Sequence, residues 1–478
     1  MKKNLSFFLS RYQSLIKVLK ETSIYSIGGI FSKGLSVISG VFYTHLILPE
    51  DMGAYGYIMV ITSVLSAFII LGGDNAYARY FFEAKSHKEK KVLTSTWFLF
   101  LFVWSILIVL IPLCFIDTVA DWIFQSTKYN LLIIAGLVLM PIKLLTVLFN
   151  QALRNDFRIK AFVICNIATA IFSIIGSLLG LIVFELGVAA IYLGIIVAEL
   201  IMICPRIYLN RKLLGLHFKI PLLKALLKFG VPFVPASLAV WVFSSADRIM
   251  IENFLDLDAV GIYTVALSMS SVLLVATDAF GEAWSPNAVK VYEEDPSKAR
   301  ALYQQMFKVI LLLGGAVVLL GALIGYEVVY LLFSKQYSES FYPAMILLAG
   351  IAFKMTIQIT AISIGLNKKT HFIMLTTMFV AVLNIGFNYI MIPSYGVIGA
   401  AVATMLSHLF VTVIYGLISQ RLFPIHYPLK WMVIFLGVIL LSLYLMTIPV
   451  LVRTFIFAVV LIIGIVIKLF YKREGYIL

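Results

Sequence analysis

Apolar residues run along this chain in blocks of about twenty separated by short polar stretches, long enough to cross a hydrocarbon core of roughly 30 Å as helices. Fourteen such runs occur, centred near Gly34, Val64, Val103, Leu139, Phe172, Ile196, Val242, Leu273, Val318, Phe353, Ala381, Ala403, Gly437 and Val460. The pattern predicts an all-α polytopic membrane protein of about fourteen transmembrane helices. No loop on the side away from the termini exceeds roughly fifteen residues, which leaves no room for an extramembrane catalytic domain.

Composition agrees: 62% of residues are hydrophobic and 13% charged, too little polar surface to cover a soluble globule. The net charge of +14 changes the picture only through its distribution. Of the 37 lysines and arginines, thirty fall in loops on the side of both termini, three (Lys128, Lys335, Arg453) in the opposite loops, and four inside the helices. The opposite loops are instead acidic, with Glu50, Asp51, Asp117, Asp121, Asp256 and Asp258. By the positive-inside rule both termini are cytoplasmic, and the basic loops are orientation signals rather than a nucleic-acid surface. Cys114, Cys165 and Cys204 have no spacing that suggests a disulfide framework or a metal site. The first twenty residues lack a cleavage pattern and read as part of the mature chain.

An internal repeat emerges at a shift of 208 residues. It matches Gly53 with Gly261, Tyr55 with Tyr263, Gly73 with Gly281 and Asp74 with Glu282; nearby shifts bring Lys143 onto Lys354 and Gly187 onto Gly396. Six crossings return a chain to the same side, so the expectation is a parallel repeat of six helices. The resulting division is an N-terminal lobe over 1–209, an amphipathic cytoplasmic linker over 210–228, a C-terminal lobe over 229–420, and two further helices with a tail over 421–478. Two such lobes are the architecture of transporters that work by alternating access, with the site between them near the midplane.

The four embedded cations are Lys33, Lys143, Arg248 and Lys354. A charge at a helix centre costs on the order of 2.5 to 3.5 kcal/mol to insert, so each should face a cavity or a counter-charge. The first reading is an anion-binding surface in a central cavity; the alternative is a structural ion pair within a lobe. Lys143, about seven residues from a helix end, could also snorkel to the headgroups, and Arg248 could pair with Glu252 one turn on. Asp74, Glu199, Asp247, Asp278 and Glu282 are candidates for carrying a proton or sodium ion, whereas His408 reads as a hydrogen-bonded core residue. No nucleotide-binding loop occurs, so an ion or substrate gradient is the expected energy source and no cofactor is called for.

The stretch 229–235 (FGVPFVP), followed by Ser244-Ser245-Ala246-Asp247-Arg248, Gly261-Ile262-Tyr263 and Ala283-Trp284-Ser285-Pro286, resembles the seventh and eighth helices of the Wzx-type O-antigen and exopolysaccharide flippases. These belong to the multidrug/oligosaccharidyl-lipid/polysaccharide exporter superfamily. Gly28 to Lys33 and the stretch 48–53 (LPEDMG) are similar to that family's opening. The resemblance implies a flippase, not an enzyme, moving a polyprenyl-diphosphate-linked oligosaccharide across a bacterial inner membrane, among membrane lipids and beside polymerase or assembly proteins. A drug exporter of the same superfamily is the alternative, and a glycan polymerase or ligase a third; embedded cations weigh against the first, short outer loops against the second.

Overall fold

The structure, a computed structural model, describes residue 31 and residues 34–156, 158–367, 369, 371–449 and 452–453, with only the backbone of residues 282 and 283. Those residues are almost entirely helical, without a strand among them. In chain order the helices are α1 (Gly34–Leu46), α2 (Pro49–Ile70), α3 (Gly73–Glu83), α4 (His87–Cys114), α5 (Ile116–Phe124), α6 (Asn130–Asn155), α7 (Ile159–Ile182) and α8 (Ala189–Asn210). There follow α9 (Ile220–Gly230), α10 (Val234–Phe254), α11 (Leu257–Glu294), α12 (Pro296–Leu332), α13 (Phe341–Thr360), α14 (Ile362–Leu366), α15 (His371–Leu422) and α16 (Leu429–Leu445).

Local sequence explains the ends. Ser86, Asp256 and Asp295 accept amide hydrogen bonds at the starts of α4, α11 and α12, and proline stands in the first turn of α2, α9, α10 and α12. The longest helix conceals a reversal. Gly396 in α15 takes φ 58° and ψ −140°, a conformation open to glycine, and Asn384 Nδ2 donates to Ser407 Oγ at 3.1 Å. Those residues would lie about 35 Å apart on one straight helix, so α15 is a hairpin of two crossings. Thirteen of the fourteen apolar centres thus fall in helices, and the fourteenth, Val460, lies outside the described residues. Outward faces carry exposed apolar side chains such as Ile111, Val382 and Leu417, as a helix wall against lipid requires.

Packing sorts the helices into two groups. In the first, α2, α4, α6, α7 and α8 surround one another; in the second, α10 to α13, α15 and α16 do so, and α2 meets α10 and α11 between the groups. The α2–α11 crossing shows the repeat in three dimensions. A Cβ on Gly53 would strike Leu257 O, and a Cβ on Gly261 would strike Pro49 O, so the two contacts exchange under the shift of 208 residues. Gly56 meets Thr264 at the same spacing. Gly187 and Gly396 share φ 58° at equivalent turns. Near this crossing Tyr337 donates to Ile47 O at 2.9 Å and His45 Nε2 meets Leu332 O at 3.0 Å, so the halves are sutured at the acidic end. Lys128 bridges Glu50 and Asp51 there, both at 3.0 Å. The Tyr129 hydroxyl and these carboxylates hold its ammonium above the ordinary lysine range.

Three expectations shift in detail. Arg206, read from the sequence as a loop cation, is buried in α8, where Nη1 donates to Glu199 at 2.7 Å and Nη2 to Thr169 at 2.7 Å. Thr146 also donates to Glu199, at 2.9 Å, which ties α6, α7 and α8 together. Arg453, read as an outer-loop cation, is buried against Tyr326 and Phe341 and donates to Ala322 O at 3.2 Å. The linker helix α9 buries Leu226 completely and packs on α3 and α4, with Lys224 and Lys228 exposed, so its apolar face meets protein rather than only the membrane interface.

Removing one partner of a buried ion pair strands the other, at a cost of about 3–5 kcal/mol. Glu199→Gln is therefore expected to lower the melting temperature in detergent sharply, and Arg206→Met added to it to restore most of the loss; an unchanged single variant contradicts the pairing. Gly53→Val should pry the acidic end open, read as faster maleimide labelling of an Ile47→Cys probe than in the Gly53 parent.

Candidate functional site

A cavity of about 450 Å³ lies beside the α2–α11 crossing. Its walls come from both groups: α1, α2, α7 and α8 on one side, α10 and α11 on the other, with Phe333 at one edge. The residues nearest the crossing that line it are Met52, Tyr55 and Thr264. Serines and tyrosines recur among the apolar lining residues, and the charged side chain in the lining is Arg248.

Arg248 sits on α10, which follows the 3-10 turn Val231–Phe233. The residue is buried, with a relative exposure of 6%, yet its guanidinium is loosely held. Nη2 donates to Ser244 O at 3.3 Å and lies 3.5 Å from Ser245 Oγ, while Nε stands 3.9 Å from Asp247 Oδ1 and has no hydrogen-bond partner. A buried donor without an acceptor costs about 1–3 kcal/mol and calls for an explanation. In a cavity wall such a donor is placed where an anionic ligand could reach it. Glu252 does not supply the counter-charge; it lies against Tyr57 on α2.

Asp247 turns the other way, into the second group. It is buried, and Tyr263 donates to its Oδ2 at 2.6 Å while standing 3.4 Å from Thr404 Oγ1. Phe243 packs edge-on against His408 and Leu255 approaches Gly396, so α10 runs antiparallel to the second arm of α15 and Asp247 stands level with Thr404. Asn384, Asn388 and Ser407 continue this polar seam, and Asn388 Oδ1 is buried without a partner. Helix α10 therefore offers adjacent residues to two places: Arg248 to the cavity, Asp247 to a carboxylate, hydroxyl and amide cluster.

The remaining sequence candidates are dispersed. Lys33 lies outside the described residues. Lys143 is exposed on α6. Lys354 is half-buried on α13, with His408 near it. Gly281 abuts Gln358, and Ser340 donates to Ile262 O at 2.9 Å, so α11 and α13 run side by side in register and Asp278 stands level with Lys354 within a residue. Neither of those side chains is free. Asp74 is exposed at the start of α3, its carbonyl accepting from Gln151 at 2.6 Å, and of Glu282 only the backbone is described. Glu199 is held by Arg206 and Thr146. Sequence reasoning missed the serines of the wall and Tyr263 as the partner of Asp247; the match of Tyr55 with Tyr263 was the one available signal.

Comparison with known proteins places this architecture. A family profile described as polysaccharide biosynthesis protein matches residues 43–342. The chain is 21% identical to the capsular polysaccharide biosynthesis protein CapF of Staphylococcus aureus over 386 residues, covering 78% of this chain and 92% of that one. It is 23% identical to a putative O-antigen transporter of Shigella flexneri over 367 residues, covering 74% and 86%. Among solved structures it superposes on the lipid II flippase MurJ in an inward closed conformation with a TM-score of 0.74 at 16% identity, over 95% of this chain and 99% of that one. An inward-facing multidrug resistance MATE transporter gives 0.69, also at 16% identity, over 82% and 94%. The fold is thus that of these transporters, and with the profile covering well over half of its residues the chain belongs to the polysaccharide biosynthesis protein family.

Proposed function

We propose that this protein is a flippase that carries a polyprenyl-diphosphate-linked oligosaccharide, a repeat unit of an O-antigen, capsule or exopolysaccharide, across the bacterial inner membrane by alternating access. The observation that carries the reading is Arg248, whose Nε lacks a partner in the wall of a cavity shared by two pseudosymmetric halves. A diphosphate supplies the missing acceptor, and the low-dielectric surroundings strengthen that interaction over its value in water. Lys33 is proposed as a second cation because it precedes the lining residues Ser36 and Gly40 by three and seven positions in the sequence. Lys354 is proposed to act from within the C-terminal half, alongside Asp278, and Lys143 to reach the headgroups. No bond is made or broken in such a cycle.

In this reading the basic end, with both termini, is cytoplasmic. The contacts of Gly53, Gly261, Ile47 and Tyr337 then close the periplasmic end, and the state is inward-facing. Completing the cycle requires those contacts to part while the lobes close at the other end. Asp247 is proposed as the ion-coupling group, because a buried carboxylate beside the hydroxyls of Tyr263 and Thr404 offers oxygen ligands to a sodium ion and also suits a proton. The alternative of a cationic drug exporter fits less well, since no carboxylate lines the cavity among the described residues.

Arg248→Ala is expected to abolish surface polysaccharide while the protein still inserts, and Arg248→Lys to keep part of the activity through a single point charge. Wild-type polymer in the alanine variant rules the site out. In energised vesicles Asp247→Asn should make flipping insensitive to collapse of the ion gradient; a variant that still responds as the parent does places the coupling elsewhere.

A further inference from the structure

The hydroxyls of the cavity wall have a polarity of their own. Ser39 donates to Ser36 O at 2.8 Å, Ser268 to Thr264 O at 3.0 Å and Ser271 to Ser268 O at 2.6 Å. Ser244 does the same to Trp241 O at 3.2 Å. Each of these hydroxyl protons is spent on the residue's own helix, which leaves oxygen lone pairs toward the cavity these serines line. A hydroxyl held this way accepts well and donates poorly. The donors left in the described wall are Arg248 Nε and the Thr264 hydroxyl, both buried without a partner, and the Ser173 and Tyr55 hydroxyls, against four serines that are back-bonded.

This distribution discriminates between sugar classes. A neutral hexose presents hydroxyl donors, which the back-bonded serines accept, and its rings have Tyr43 and Tyr55 beside them in the wall. A carboxylate is acceptor-only and meets those same lone pairs. Its charge would also need a cation beyond the one that the diphosphate occupies, and Arg248 is the sole charged residue in the described lining. Counting Lys33 as well gives two positive charges against a diphosphate, still with none to spare for a uronic acid. An unpaired carboxylate taken out of water costs several kcal/mol, more than enough for selection.

We infer that the lipid-linked oligosaccharide accepted by this cavity is built of uncharged sugars, and that the acceptor-rich serine wall excludes acidic repeat units. The inference rests on the flippase reading and narrows its substrate.

The test uses the full-length protein reconstituted in liposomes with two synthetic undecaprenyl-diphosphate trisaccharides, identical but for one glucose replaced by glucuronic acid. Translocation is followed by protection of the sugar from an external glycan-oxidising reagent. The neutral lipid should move at least about tenfold faster than the uronate, a ratio worth about 1.4 kcal/mol. Equal rates, or a faster uronate, leave the flippase reading standing and overturn the charge selectivity. Movement of neither lipid overturns the flippase reading and this inference with it. A second arm asks for gain of function: Ser271→Lys, which adds a cation and removes one back-bonded acceptor, should raise uronate transport relative to neutral transport, and an unchanged ratio overturns the assignment.

Discussion

A charge in hydrocarbon must be matched within the protein, and the interior of this molecule is arranged around that requirement. Arg206 meets Glu199 and two threonine hydroxyls through Nη1 and Nη2, so the charge is neutralised inside one half while its Nε has no partner. Arg453 is covered by two aromatic faces and a helix carbonyl. Asp247 is answered by Tyr263 and by the amide of Arg248. An Nε without a partner is common to Arg206, Arg248 and Arg453, and the Arg248 guanidinium stands out because its other contacts are long and it lines a cavity. Stability arguments explain the charges enclosed among helices; the one in a cavity wall is placed where a ligand has room to meet it.

The large features were legible in the sequence because they depend on long averages. A transmembrane crossing is set by some twenty residues of hydropathy, which a window detects, and the repeat showed through glycines that geometry constrains, such as Gly53 with Gly261 and Gly187 with Gly396. A short element was lost: α3 spans eleven residues, less than one crossing, whereas α9, of the same length, was legible from its amphipathic pattern. Arg206 was misplaced for a related reason, since it follows Pro205 near the end of an apolar run, where hydropathy cannot say whether the helix continues. Arg453 went astray because a cation beside a helix start looks the same whether it faces water or two aromatic rings.

The site was legible only in part. Arg248 could be found as an embedded charge, but its isolation from Glu252 could not, because spacing along one helix is silent about a neighbouring tyrosine on another. The serines escaped notice altogether. A small hydroxyl in an apolar helix barely lowers hydropathy and can satisfy itself on its own backbone, so only the arrangement of helices reveals that several of them share one surface.

The reciprocal glycine crossing carries a consequence of another kind. Its contacts are those of a two-fold dimer, in which any substitution would appear on both sides of the axis at once. One continuous chain removes that obligation. At a shift of 209 residues Glu199 corresponds to His408, and the two have diverged: one is neutralised by an arginine on its own helix, the other is an imidazole packed against Phe243 near Lys354. Tandem fusion has let the two halves keep a common scaffold while carrying different chemistry at equivalent positions, an asymmetry that a pair of identical subunits could never express.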